Sequence, residues 1–298
     1  MSITEAELIA HLKKLPPLPA PLQQVLSFLN DPHSNWGKIG KVMLKDPVLT
    51  GRVLQIANSS FYGLHRQVKD IEIACSVLGA ETLRGLVYTL ILLSKFRHGE
   101  LGSLIDYDLL WRNSLRVACL VKNFSRQIGQ DHTTAFTVGL FHSLDLIIQD
   151  YFFKDVLAER VKKYSLEKNN PVENIPEENS TEKNGADNYQ SDKLKITYMI
   201  DSDYWWLIAV LLEYWKFPEP IVSIFHNTSE LSTQEMKTLI LTSVIILRSL
   251  DNSEKIPNTI AVEANRLFAE SGLATLDFQE CIFDSEKLYT EISAWMFC

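Results

Sequence analysis

Lys45-Asp-Pro-Val-Leu-Thr-Gly-Arg-Val-Leu-Gln-Ile-Ala-Asn-Ser-Ser-Phe-Tyr-Gly63 is the stretch that decides how this chain reads. Asp46 is placed to accept the free N–H groups of a helix start, and Pro47 suits the first helical position, where no N–H is needed. Leu49, Val53, Ile56 and Ala57 then recur at helical spacing on one face. Asn58 to Gly63 ends the pattern with two aromatic residues and a glycine able to take a left-handed turn. The stretch predicts a helix and a loop.

The same grammar extends in both directions. Upstream, Thr4 and Glu7 predict a capping box for a helix running to Lys14. Leu15-Pro-Pro-Leu-Pro19 predicts a stiff extended connector, because successive prolines remove the helical hydrogen bonds. Pro21 opens a helix with Leu22, Val25, Leu26 and Leu29 on one face, and another helix is expected over Trp36–Leu44. Downstream, Asp70 caps a helix carrying Ile71, Ala74, Val77 and Leu78. Gly79 breaks it before an apolar helix over residues 81–96.

Further helices are expected over residues 106–128, from Asp131 to His142, and as one amphipathic stretch from Asp145 to Tyr164. Residues 165–193 are rich in Asn and Glu and lack apolar periodicity, so they read as a disordered surface insertion. Helical patterning then resumes. Asp203 is the expected cap of one helix, and Pro218, Ser232 and Pro257 precede three more. An amphipathic tail runs from Thr275 to Cys298. No segment alternates with period two, and the fold class expected is all-α. Read by segment, the chain divides into an N-terminal helical part over residues 1–100, a second helical part over 101–250 that contains the insertion, and an extension over 251–298 packed on the core.

Composition agrees. The 298 residues hold 12 Gly and 11 Pro, too few turn-formers for a many-stranded protein. Hydrophobic residues make up 46% and charged residues 22%, ordinary for a globular chain. No apolar run approaches the roughly 20 residues needed to span a bilayer, and Met1 to Leu12 does not resemble a signal peptide. Cys75, Cys119, Cys281 and Cys298 are scattered, which fits reduced structural thiols in a cytoplasmic protein. Net charge is −8, so general nucleic-acid binding is not expected. The charge is uneven: residues 1–98 hold 11 Lys+Arg against 7 Asp+Glu, net +4, and the remainder is net −12. The plain reading is two differently solvated surfaces; the sharper one is a mildly basic partner surface.

Several motifs follow one another closely: Leu15-Pro-Pro-Leu-Pro19, Leu29-Asn-Asp-Pro32, Lys45-Asp-Pro-Val-Leu49 and Val53 to Gly63. With Ile71-Glu-Ile-Ala74, Leu78-Gly79 and Leu83-Arg84, this ordered set resembles the HDOD family, the HD-related output domains. Weaker matches at Leu110 to Ser114, Ala135 to His142 and Leu212 to Ile221 extend the resemblance over about residues 10–230. The resemblance implies a helical architecture related to HD phosphohydrolases, a bacterial source and a signalling or regulatory role.

An HD hydrolase needs His and Asp side chains converging on metal ions, which lower the pKa of a bound water and make it a nucleophile. Carried over by resemblance, those positions fall here on Asn113, His142, Ser143, Tyr204 and His226. The adjacent His-Asp pair has become His142-Ser143, and Asn and Ser are poor metal ligands at neutral pH. Asp145, three residues beyond His142, is the one conceivable substitute ligand. The expectation is a degenerate metal site, no cofactor and no catalysis. The alternatives are a divergent metal-dependent phosphohydrolase and a nucleotide or small-ligand sensor that uses the vestigial pocket. Trp205-Trp206 reads as core, since neighbouring helical residues point about 100° apart.

If the chain acts by contact with signalling proteins, the loop after the quoted helix is the candidate surface. It comprises Asn58, Phe61, Tyr62 and Gly63, flanked by Arg52, His65, Arg66 and Lys69, within the net-positive part of the chain. The competing reading makes the two aromatic residues plugs of the helical core.

Overall fold

The computed structural model describes the chain apart from residues 1–2, 15–19, 30, 32, 46, 59–61, 63, 65, 97–102, 169–198, 227–230, 251–257, 272–277 and 297–298. The described residues form helices and no strand. In chain order these are α1 (Glu5–Leu12), α2 (Ala20–Leu29), α3 (Trp36–Met43), α4 (Pro47–Ala57), α5 (Ile71–Phe96), α6 (Tyr107–Gln127) and α7 (His132–Phe141). There follow α8 (Leu144–Phe152), α9 (Lys154–Lys168), a 3₁₀ turn (Ser202–Tyr204), α10 (Trp205–Tyr214) and α11 (Glu219–Phe225). The last are α12 (Leu231–Leu250), α13 (Asn258–Glu270) and α14 (Phe278–Met296). Among the described residues no helix is long and apolar enough to cross a membrane.

The start signals act as the residue types require. Thr4 Oγ1 accepts from the Glu7 amide while Glu7 Oε2 accepts from the Thr4 amide at 2.9 Å, closing the capping box of α1. Asn35 caps α3 by accepting from the Lys38 amide at 3.0 Å. Asp70 accepts from the amides of Glu72 at 2.8 Å and Ile73 at 3.0 Å. Gly79 breaks α5 at φ 76°, ψ 166°, a conformation that an L side chain rarely adopts.

Three expectations are corrected. The amphipathic stretch from Asp145 is two helices, since the chain leaves helical geometry at Phe153, φ −138°. The second of them continues to Lys168, so residues 165–168 are helical and not part of an insertion; from 169 the expected insertion lies outside the described residues. Asp201, not Asp203, is the cap before α10: it accepts from the Asp203 amide at 3.1 Å, and Asp203 itself sits inside the 3₁₀ turn. The connector at 15–19 and the cap at Asp46 lie outside the described residues.

The chain forms two compact units, each assembled from separated segments rather than from the contiguous parts expected at 1–100, 101–250 and 251–298. The first contains residues 1–14, 96–114 and 141–229. Its centre is α10, which is apolar around its whole circumference and packs against α1, α8 and α11. Trp205 is 1% exposed and meets Phe225 edge-on, so it is a core residue. His11 of α1 stacks on Phe152 and Phe153, with ring centroids 5.1 and 5.2 Å away. Asp150 is buried in α8 and accepts from Ser103 Oγ, the Leu104 amide and Tyr107 Oη, which fixes the start of α6.

The second unit contains residues 15–95, 115–140 and 230–298. Phe124 of α6 meets Phe268 of α13 and Phe278 of α14 edge-on, and Phe268 also touches Phe278. Asn123 donates to Ser285 Oγ at 2.8 Å, and Arg116 pairs with Glu286 at 2.9 Å, which fixes α14 along α6. Arg84, buried in α5, donates to the Leu29 carbonyl at 2.8 Å. Cys75, Cys119 and Cys281 are buried, and burial pushes the Cys75 thiol up to about 12.

Helices α6 and α7 approach most closely at Gly139, where a Cβ would lie 2.8 Å from the Ala118 Cα. The obstacle is backbone, which cannot rotate away. Gly139→Ala should therefore lower stability by about 1–3 kcal/mol, read as a lower urea midpoint. Gly51→Ala, on the exposed side of α4 with open space around its Cβ, should instead raise stability by about 0.4–1 kcal/mol.

Candidate functional site

The positions that the resemblance carries over from HD ligands lie in the first unit. Asn113 sits in the first half of α6, and His142 and Ser143 form the turn between α7 and α8. All three are buried, at 4–5% exposure. The Ser143 hydroxyl lies 2.7 Å from Ser114 Oγ, so the position where the enzymes carry the aspartate holds a neutral hydroxyl pair.

Asp145, the second residue of α8, is committed elsewhere. Its Oδ2 accepts from Arg160 Nη1 at 2.7 Å, with both side chains almost fully buried. The Arg160 guanidinium lies over the Tyr204 ring at 4.2 Å, and its Nε is 3.5 Å from Asp201 Oδ2. Thus α8, α9 and the 3₁₀ turn meet around one guanidinium. His226 pairs with Glu213 at 2.9 Å, and both are half-exposed. Among the described residues no three His, Cys, Asp or Glu side chains converge as the ligands of one metal ion would.

The chemistry of this set follows from Arg160. Its charge is permanent, so a divalent cation approaching Asp145 would have to displace it and tolerate its repulsion. Burial raises the Asp145 carboxyl above the ordinary range, while Arg160 and the Leu146 amide pull the other way. Motif comparison missed Arg160 because it carries no HD signature. The signal was present, however: Val156, Leu157 and Arg160 share the buried face of α9.

The candidate partner loop belongs to the second unit, and its residues divide by role. Asn58 clamps the loop: Oδ1 accepts from the Val68 amide at 2.6 Å, and Nδ2 donates to the carbonyls of Leu54 and Val68. Tyr62 is turned inward. Lys122 Nζ lies 5.2 Å from its ring and 5.0 Å from that of Phe136, and burial pushes the Tyr62 phenol up to about 12. Arg66 and Lys69 are exposed. Phe61, Gly63 and His65 lie outside the described residues, as does the Arg52 side chain. The clamp and the inward tyrosine hold the loop, and two cations remain on its outer side.

The comparisons with known proteins can be set beside this geometry. A model of the HDOD domain family matches residues 15–186. An uncharacterized protein of Treponema pallidum (strain Nichols) is 21% identical over 267 residues, covering 86% of this chain and 47% of that protein. The chain therefore spans about half the length of this curated relative. Among solved structures, a protein of Shewanella amazonensis SB2B provisionally named a phosphohydrolase is 19% identical, with a TM-score of 0.62 over 97% of this chain and 98% of that one. An HDOD domain protein of unknown function from Geobacter sulfurreducens is 18% identical, with a TM-score of 0.59 over 97% and 96%. A protein of Marinobacter aquaeolei VT8 provisionally named for signal transduction is 18% identical, with a TM-score of 0.54 over 96% of this chain and 61% of that one.

Two stability measurements check the electrostatics. Arg160→Met leaves Asp145 buried without its partner and should cost about 3–5 kcal/mol at pH 7. A carboxyl with a raised folded-state pKa contributes most below its unfolded value and loses that contribution as pH rises, so the deficit should shrink toward pH 4. Lys122 has the opposite dependence. Burial lowers its ammonium to about 7, so between there and its ordinary value of 10.5 the unfolded chain binds more protons. Stability should rise with pH across that window, and Lys122→Met should flatten the rise in denaturation midpoint.

Proposed function

The chain belongs to the HDOD domain family, and from that premise we propose that it is a non-enzymatic signalling module that regulates partner proteins by direct contact in the cytoplasm. The observation that carries the reading is the Asp145–Arg160 pair at 2.7 Å: the carboxylate best placed to replace the lost HD ligand is already neutralised by a buried guanidinium. Ser143 supports it, because a hydroxyl hydrogen-bonded to Ser114 offers a metal neither charge nor a strong donor. Without hydrolysis, the information has to leave through a surface. Arg66 and Lys69, exposed beside a loop braced by Asn58 and Tyr62, form the surface we assign to an acidic face of the partner.

One set of experiments on the full chain separates this reading from a divergent phosphohydrolase. Protein purified without chelators should carry no stoichiometric metal and should not cleave a phosphodiester with added Mn²⁺ or Fe²⁺. One metal per chain, lost on His142→Ala together with activity, would overturn the proposal. In the contact assay, partners captured by the wild type should be lost from the Arg66→Glu, Lys69→Glu double variant. That variant should fold normally, since exposed substitutions shift stability by no more than about half a kcal/mol.

A further inference from the structure

A hollow of about 250 Å³ opens in the second unit beside the start of α3, away from the partner loop in sequence. Phe28 at the end of α2 and Trp36 at the start of α3 line it, with Ile39 beneath, and Asp31, Ser34 and Asn35 supply its polar wall. Its size decides the class of occupant. Small-molecule sites measure roughly 300–1,000 Å³, so this hollow is suited to one long side chain and is too small for a nucleotide.

The wall is held in place. Asp31 Oδ1 accepts from the His33 amide at 2.9 Å, the Asp31 carbonyl accepts from the Ser34 amide at 3.0 Å, and Asn35 is fixed as the cap of α3. The Ser34 hydroxyl is buried without a hydrogen-bond partner among the described residues. A hydroxyl in that position needs an incoming donor or acceptor. A second carboxylate stands close by: a Cβ on Gly37 would lie 3.2 Å from Glu72 Oε2. The nearby cation, Arg84, donates to the Leu29 carbonyl and is not part of the lining.

Aromatic rings, a carboxylate and a buried hydroxyl acceptor match one group in particular. We propose that this hollow receives the guanidinium of an arginine from the partner protein, its planar face against Phe28 and Trp36 and its N–H donors on Asp31 and Ser34. A guanidinium stacks on aromatic faces and donates in a fork to a carboxylate, whereas an ammonium does neither as well. The inference rests on the partner-contact reading and adds a second, oppositely charged contact to Arg66 and Lys69.

The test uses the full ¹⁵N-labelled chain and free probes. Of the six tryptophan indole N–H signals, that of Trp36 is assigned as the one missing from Trp36→Phe. N-acetyl-arginine methylamide should shift this signal saturably, and the lysine and citrulline counterparts should bind at least tenfold more weakly. Asp31→Asn should abolish the response, and Ser34→Ala should weaken it several-fold, with the other indole signals unmoved as the check that both variants fold. No saturable shift with the arginine probe overturns the inference, as does an equal response to citrulline or an undiminished response in Asp31→Asn. Partner capture by the wild type with no arginine response defeats the hollow alone. Failure of the wild type to capture any partner defeats the contact reading instead.

Discussion

The buried guanidinium of Arg160 is the point at which α8, α9 and the 3₁₀ turn meet. Asp145 supplies the countercharge, the Tyr204 ring covers its face, and Asp201 stands 3.5 Å from its Nε. These partners come from α8 and from the segment that leads into α10, the apolar helix on which α1, α8 and α11 pack. Bringing an arginine and an aspartate out of water costs several kcal/mol per ion, and their attraction repays it only in close, well-aligned geometry. The register of α8 against α9 is therefore set by charge as well as by apolar fit.

The same pair bears on function. Metal hydrolysis by an HD site depends on acidic ligands that the protein leaves for the ion. Here Asp145 is held by an arginine and its neighbour Ser143 by another serine.

Much of the fold was legible because helix termini are local. Thr4 with Glu7 and Asp70 cap helices through their own side chains, and Gly79 turns the chain through a backbone angle that glycine reaches without strain. Val25, Leu26 and Leu29 of α2 are buried on the face that their spacing implied. One error arose where tertiary contact overrode local pattern, and another where two candidate caps stood two residues apart. Phe153 breaks a periodic stretch while its ring meets that of His11 in α1, and Asp201 took the cap from Asp203. Of the site, Asn113, His142 and Ser143 were found by motif, but Arg160 was not, because a single charged residue on an apolar face looks like noise until its partner 15 residues earlier is seen.

The assembly of the second unit has a consequence for biosynthesis. Phe124 finds its ring partners at Phe268 and Phe278, and Asn123 finds its acceptor at Ser285, more than 140 residues later in the chain. During synthesis at about 5–20 residues per second, α6 must wait on the order of ten seconds for the segment that covers it. Through that interval the buried faces of α4 and α6 are open to the cell, and the first unit can close before them, since its segments end at Ser229. Completion of the second unit thus waits on the synthesis of residues 230–298.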